Sequence, residues 1–285
     1  MGDLIRLRVG DRLATVDATR GGRLASLIVA GRELLVPAPD ADDRGVDWGC
    51  FLMAPWPGRL AGGRVPWQGG TVQLRRTREP DALHGVVYDR TWSVDRAEED
   101  QVVLSCGFVP VEWPFGGRVR QRIRLAADHL ELHAVITAGP RAMPAALGWH
   151  PWFRRTGGEP RLRVDAAQVL QTERMIPTGR PIAVAGQTDL RTGPPLGQRR
   201  LDLTYVAPRS PVVATWPDME LRVEFGRPIR ALVVFTPPGG LCLEPQTAWP
   251  NALGAMTAAS GVRILEPGQT LQATMRLRWR VPRPA

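Results

Sequence analysis

From Arg118 to Leu125 the chain alternates in step, with Val119, Ile123 and Leu125 set against Arg118, Arg120, Arg122 and Arg124. Near the C-terminal end Leu271, Ala273, Met275, Leu277 and Trp279 do the same against Arg276, Arg278 and polar residues. A period of two places one set of side chains in a core and the other in water, which a helix cannot do. Shorter runs of this kind recur at 4–36, 64–74, 86–94, 102–109, 130–136, 212–215, 221–225, 229–236 and 241–244. Turn dipeptides such as Gly10-Asp11, Gly21-Gly22 and Gly69-Gly70 separate them. The 30 Gly and 27 Pro are spread along the chain, as many strands and many turns require. The one helix expected is short, over 250–259. Residues 37–49 read as an acidic loop, and 155–210 as loop-rich with a few short strands. The expectation is an all-β fold: one domain over 1–285, built as a large β-sandwich of twisted antiparallel sheets with few short helices.

Composition removes several kinds of chemistry. All 37 basic residues are arginine, so Schiff-base chemistry and a Walker A phosphate loop are excluded. The formal net charge of +9 is interspersed with acids rather than blocked, and no zinc-finger spacing occurs, so no nucleic-acid partner is expected. Cys50, Cys106 and Cys242 are far apart and read as buried small residues rather than a disulfide frame or metal site. His129, Glu131 and His133 share a polar strand face, where no metal is expected. No run approaches the ~20 apolar residues of a membrane span, and the first residues carry no apolar signal core. A cytoplasmic protein without a membrane partner, monomer or homodimer, is the expectation. None of the five serines sits in G-x-S-x-G, and neither G-x-G-x-x-G opening a helix nor H-E-x-x-H occurs.

Two stretches remain that carry reactive groups. In Ala145–Phe153, read Ala-Ala-Leu-Gly-Trp-His-Pro-Trp-Phe, a strand puts Leu147 and Trp149 on one face and Gly148 and His150 on the other. Gly148 would leave the surface beside the imidazole bare for a ligand. Leu241-Cys-Leu-Glu-Pro245 repeats the design, with Cys242 and Glu244 on one face. Each ionisable residue precedes a proline, which lacks a donor, so each is expected at a strand end or edge. An imidazole and a carboxylate so held are the minimum for moving two protons together. The plain alternative is two edge strands with a polar residue on the wet side.

In order along the chain stand Arg59 in Ala-Pro-Trp-Pro-Gly-Arg-Leu, Leu83-His84-Gly85, Gly148-Trp-His150-Pro-Trp-Phe, and Cys242-Leu-Glu244-Pro-Gln-Thr-Ala-Trp-Pro-Asn251. This series resembles the aldose 1-epimerase (galactose mutarotase) family over nearly the whole chain. The resemblance implies a β-sandwich with a sugar bound in an open groove, a monosaccharide substrate, and no cofactor or metal. It implies Glu244 as general base on the anomeric hydroxyl and His150 as general acid on the ring oxygen. His84 would position and polarise the sugar, and Arg59 would donate to its hydroxyls. Leu201-Asp202-Leu-Thr-Tyr205 resembles the family's hydroxyl-binding acidic segment, with Leu203 where a polar residue is commoner, so Asp202 is a further candidate. Trp56, Trp152 and Trp249 lie near the motifs and could stack on a sugar face, or belong to the core. After His84-Gly85 the chain reads Val-Val-Tyr where galactose mutarotases are richer in glycine. A hexose-phosphate 1-epimerase, a non-catalytic sugar-binding module and, with only one clear carboxylate, a glycosidase are the alternatives.

Overall fold

The computed structural model describes residues 4–38, 45–155 and 157–281; the part of the expected acidic loop over 39–44 and the first three residues lie outside it. The described residues form antiparallel sheets, of which two dominate. The larger runs Leu4–Val9, Arg12–Asp17, Arg23–Val29, Cys50–Met53, Gly148–Arg154, Gly240–Gln246, Ala231–Phe235, Asp202–Val206, Gln168–Val169 and Ile182–Ala183, with Arg32–Glu33 paired beside Arg23–Val29. The second runs Ser93–Ala97, Gln101–Gly107, Arg118–Leu125, His129–Thr137, Thr270–Arg280, Met219–Phe225, Arg209–Trp216 and Arg161–Asp165.

The alternating runs explain the packing. In Arg118–Leu125 and Thr270–Arg280 the aliphatic set is buried and the arginine set lies outside. The buried set meets Leu24, Leu52, Trp149, Phe153, Leu241 and Leu243 of the larger sheet in one continuous core. Gln121 is the polar member of the buried series. Its Oε1 accepts the indole N–H of Trp149 at 2.9 Å and its amide donates to the Gly22 carbonyl at 3.0 Å, which ties the second sheet to the centre of the first. On the outer face, Glu131 pairs with both Arg122 and Arg276. The three cysteines are buried and unpaired.

At its centre the larger sheet is covered on both faces. Phe51, Met53, Trp152 and Cys242 form a second apolar cluster on the side turned away from the main core. Double coverage accounts for the unbroken apolar run around His150, because both faces of a strand must then be apolar.

Three expectations change. Residues 86–92 are turns and irregular chain rather than a strand, which begins only at Ser93: Trp92 folds inwards, donating from its ring to the Val87 carbonyl at 3.0 Å. The expected helix shrinks to Ala252–Ala255 and a 3-10 turn at Ala258–Ser260. Asn251 at its start is left-handed (φ 58°) and Met256 at its end likewise (φ 44°), so the helix is pinned short at both ends. His150 and Glu244 lie inside central strands, not at edges. The pairing between those strands is interrupted instead: Gly148 pairs with Gln246 and Trp152 with Cys242, with no pair between. Pro151 and Pro245 both fall within that gap, where a missing donor removes nothing from the ladder.

Candidate active site

The registers bring the candidate residues together in rows. The pairs Gly148–Gln246 and Trp152–Cys242 put His150 directly across from Glu244. His150 also pairs with Phe51, and Glu244 with Val233. The first row is therefore Phe51, His150, Glu244 and Val233. The next is Trp152, Cys242, Phe235 and Asp202. These rows form part of the floor and wall of a cleft of about 600 Å³, within the range of small-molecule sites.

His150 and Glu244 are almost fully buried, and His150 Nε2 stands 3.3 Å from Glu244 Oε1. The imidazole is held between two rings. Phe51 stacks on one side at 4.9 Å between centroids, and Trp152 lies nearly parallel (3°) on the other at 5.4 Å. Trp152 thus reaches the cleft wall through the histidine it flattens. Trp56 instead packs in the core against Trp113, and Trp249 is outside the cleft lining although its neighbour Pro250 is in it.

Loops supply the other groups. The short pairing of Arg59 with Leu83 and Leu60 with Ala82 carries Arg59 beside His84. Asn251 secures that segment: its backbone N–H donates to the Arg59 carbonyl at 2.6 Å, and its side-chain oxygen accepts the Ala61 N–H at 3.0 Å. Buried Asp81 stands 3.9 Å from the Arg59 guanidinium and accepts the Gly62 N–H at 3.1 Å. His84 adopts φ 60° and donates its backbone N–H to the Gly58 carbonyl at 3.0 Å. Gly85 follows at φ 79°, and a Cβ there would fall 2.0 Å from the Ala54 carbonyl oxygen. Only glycine lets the loop approach this closely. The His84 ring then meets His150 edge to face at 5.2 Å. Asp202 lines the cleft from its exposed rim.

Burial sets the protonation. It drives the Glu244 carboxyl well above the usual carboxylate range, helped by Asp202 and opposed by a hydrogen bond from Gln246. It drives His150 well below the usual imidazole value, helped by His84 and Arg23. His84 is lowered to about 3 by burial and by Arg59. Both shifts favour the uncharged forms, a neutral carboxyl beside a neutral imidazole, in which the pair together holds one proton.

Several cleft residues had no signal in the sequence reading. Arg23 is buried behind Phe51, its guanidinium 4.1 Å from the Trp48 ring and 4.9 Å from Phe51. It donates to the carbonyls of Trp48 and Tyr88 at 3.1 Å each and to that of Gly45, fixing two loops of the cleft. Arg78, Arg154 and Asp47 line the mouth. Gln246 was legible: it is two residues from Glu244 and so on the same face. The surface beside the imidazole is not bare as Gly148 suggested. A Cβ at Gly148 would lie 2.9 Å from Gln246 Cγ, so the glycine makes room for that side chain rather than for a ligand.

The sequence model of the aldose 1-epimerase family matches residues 3–278. The chain belongs to the aldose 1-epimerase family. Among curated proteins it is 32% identical to the uncharacterized protein YphB of Escherichia coli K12 over 123 residues, 42% of this chain and 41% of that protein. It is 28% identical to the uncharacterized protein YihR of the same organism over 158 residues, 53% of this chain and 50% of that one. The matched part thus spans half or less of these curated relatives. Among solved structures, a putative aldose 1-epimerase of E. coli K12 superposes with a TM-score of 0.88 at 22% identity, covering 98% of this chain and 99% of that one. The GalM/aldose epimerase homologue of C. elegans gives 0.83 at 17% identity, with 99% of both chains covered. These likenesses show the galactose mutarotase-like sandwich fold.

Proposed function

We propose that this member of the aldose 1-epimerase family interconverts the α and β anomers of a free aldose. The observation that carries this is the buried His150–Glu244 pair, 3.3 Å apart on the floor of the cleft. Ring opening takes one proton from the anomeric oxygen O1 and gives one to the ring oxygen O5. A pair that holds one proton between two sites does this without changing its total. With Glu244 as carboxylate and His150 as imidazolium, Glu244 accepts the O1 proton while His150 Nε2 donates to O5. The C1–O5 bond breaks as the C1–O1 bond gains its second bond. The pair is then a neutral carboxyl and a neutral imidazole, the form that burial favours at rest. Rotation about C1–C2 exposes the other face of the aldehyde, and closure runs the two transfers backwards. The chemistry uses only the protons of the pair and the sugar.

The ionised form that starts this cycle is costly in a dry site, and the groups around it define what the sugar must supply. Arg59 and Asp202 stand ready for hydroxyls at the rim. Trp152 offers a ring edge beside His150. The test is two-dimensional NMR exchange on glucose, galactose, xylose, arabinose and rhamnose, then glucose 6-phosphate. Faster α/β exchange supports the reading and ranks the sugars. Sugar contacts by saturation transfer without faster exchange would make the protein a binding module instead.

One observation favours a second reading, a 1-epimerase of sugars carrying an anionic group. Arg59 and Arg78 both line the cleft, flanking Asp81, and Arg78 makes no ion pair among the described residues. Arginine grips a phosphate through two donors. Inhibition of free-sugar exchange by millimolar inorganic phosphate, relieved in Arg78→Ala, would favour it.

A further inference from the structure

Gln246 is fully buried, yet it lines the cleft. Its amide nitrogen donates to Glu244 Oε2 at 3.1 Å, while its amide oxygen has no partner. A carboxylate can only accept, so the amide nitrogen must face Glu244 whenever that group is ionised, and the oxygen must face away from it. A buried acceptor left without a donor is unfavourable unless something else supplies one. The side chain has little freedom to turn aside. Its backbone is paired with Ala231 on one strand and Gly148 on the other. The Gly148 Cα has no Cβ, and one placed there would come within 2.9 Å of Gln246 Cγ and of the Pro245 carbonyl.

The directions within the site say what donor is missing. Glu244 Oε1 faces His150 across the strand gap, so the C1–O5 bond lies along that direction when the pair acts on O1 and O5. Gln246 lies along the strand from Glu244, roughly 7 Å away at the Cα level, and not towards His150. An anomeric carbon has two ring neighbours. With O5 turned to the imidazole, the carbon left on the other side is C2.

We infer that Gln246 is a positioning and specificity residue: it clamps Glu244 Oε2, leaving Oε1 for the anomeric proton, and its own oxygen accepts the hydroxyl on C2. The substrate class this selects is an aldose with a free 2-hydroxyl, against its 2-deoxy counterpart. The inference rests on the mutarotase reading for the hydroxyl, but not for the clamp. Burial and Asp202 push the Glu244 proton on, and the Gln246 hydrogen bond is the contact that opposes them. The other ionisable groups around Glu244 are His150, His84, Arg59, Asp202 and Cys242.

The experiment compares wild type with Gln246→Met, which keeps the volume and removes both polar contacts, and with Gln246→Ala should the thioether not fit. Two readouts are taken on variants with a native melting transition. The first is the ¹³Cδ titration of Glu244 in the ligand-free protein, assigned against Glu244→Gln. Its midpoint rises in Gln246→Met if the clamp is real. The second is the ratio of kcat/KM for glucose over 2-deoxyglucose and for galactose over 2-deoxygalactose. Wild type is expected to favour the 2-hydroxy sugar by roughly 10–100-fold, as a buried acceptor left unpaired implies. The ratio should fall to within about threefold of unity in the variant, a change that simple loss of packing would not produce. An unmoved Glu244 titration overturns the clamp. An unchanged ratio overturns the hydroxyl contact. A wild-type protein that exchanges none of these sugars overturns that contact together with the mutarotase reading, and the titration alone then decides the clamp.

Discussion

Replacing Glu244 by Gln isolates proton transfer from everything else the residue does. The two side chains have nearly the same volume, so the packing against Val233 and Cys242 is kept. Gln246 can still donate to the remaining oxygen, as it does to Oε2 at 3.1 Å. The new amide nitrogen would face His150 Nε2, now 3.3 Å from Oε1, and a neutral imidazole can accept from it. Sugar binding should therefore persist. What is lost is the acceptor for the O1 proton, a general-base contribution of about 10²–10⁴ in rate, or about 2.7–5.5 kcal/mol on the barrier. NMR exchange on the best aldose of the panel, with the uncatalysed rate subtracted, gives kcat; saturation-transfer titration gives binding. A fall in kcat of less than about tenfold would refute the reasoning and move the base to Asp202, the other carboxylate near this row. Stability moves the opposite way. The folded protein holds the Glu244 proton more tightly than the unfolded chain does. Its stability therefore declines as pH rises from the ordinary carboxylate range. Glu244→Gln removes that decline. The variant should be more stable than wild type at pH 7 by about 1–3 kcal/mol, with the gain vanishing near pH 3 in urea denaturation.

Other outcomes follow from the same geometry. The pair is competent while it holds one proton, and burial lowers His150, so exchange should stay on its plateau below pH 6.5; an acid limb above that value in the pH–kcat profile would contradict the burial argument. Arg23 is charged behind Phe51, with burial lowering its own pKa only to about 10. Arg23→Met should raise the acid limb and, by orphaning the carbonyls of Gly45, Trp48 and Tyr88, destabilise the fold by about 2–4 kcal/mol in denaturant titration. Gly85→Ala should displace the His84 loop, because its Cβ would fall 2.0 Å from the Ala54 carbonyl oxygen at a φ of 79°; the check is loss of exchange with the melting transition lowered, and an unaltered enzyme would show the loop tolerates the shift.

The strand pattern was legible because period two survives wherever one face meets water. Arg118–Leu125 and Thr270–Arg280 could be read residue by residue for that reason. It was least legible where both faces are covered. Residues 145–153 show no polar phase from which to judge what lies opposite, and the prolines pointed to an edge although the strand is central. The pairing that makes this possible, Pro151 and Pro245 in one ladder gap, is a relation between positions 94 residues apart and leaves no mark in either stretch. The turns at 86–92 misread as a strand for a related reason: Val86, Val87 and Trp92 run on into the strand that begins at Ser93, while a single inward tryptophan ties the segment before it into turns.

The site divides the same way. His150, Glu244, His84, Arg59, Asp202 and Trp152 all reach the cleft and Trp249 does not: the motifs marked residues that the fold gathers in one place, but not which way a loop tryptophan turns. Arg23 and Phe51 could not be found from any motif, since their part is to set the environment of His150 from behind rather than to touch a ligand. That environment decides the chemistry. An exposed imidazole and carboxylate 3.3 Å apart would sit as a stable ion pair at neutral pH, with little drive to pass a proton on. Buried between Phe51 and Trp152, the ionised and neutral forms of the pair come closer in free energy. For the proposed reaction, which runs both ways through the same two groups, a narrower gap between the two forms matters, since a pair strongly settled in either one would slow the opening or the closing of the ring.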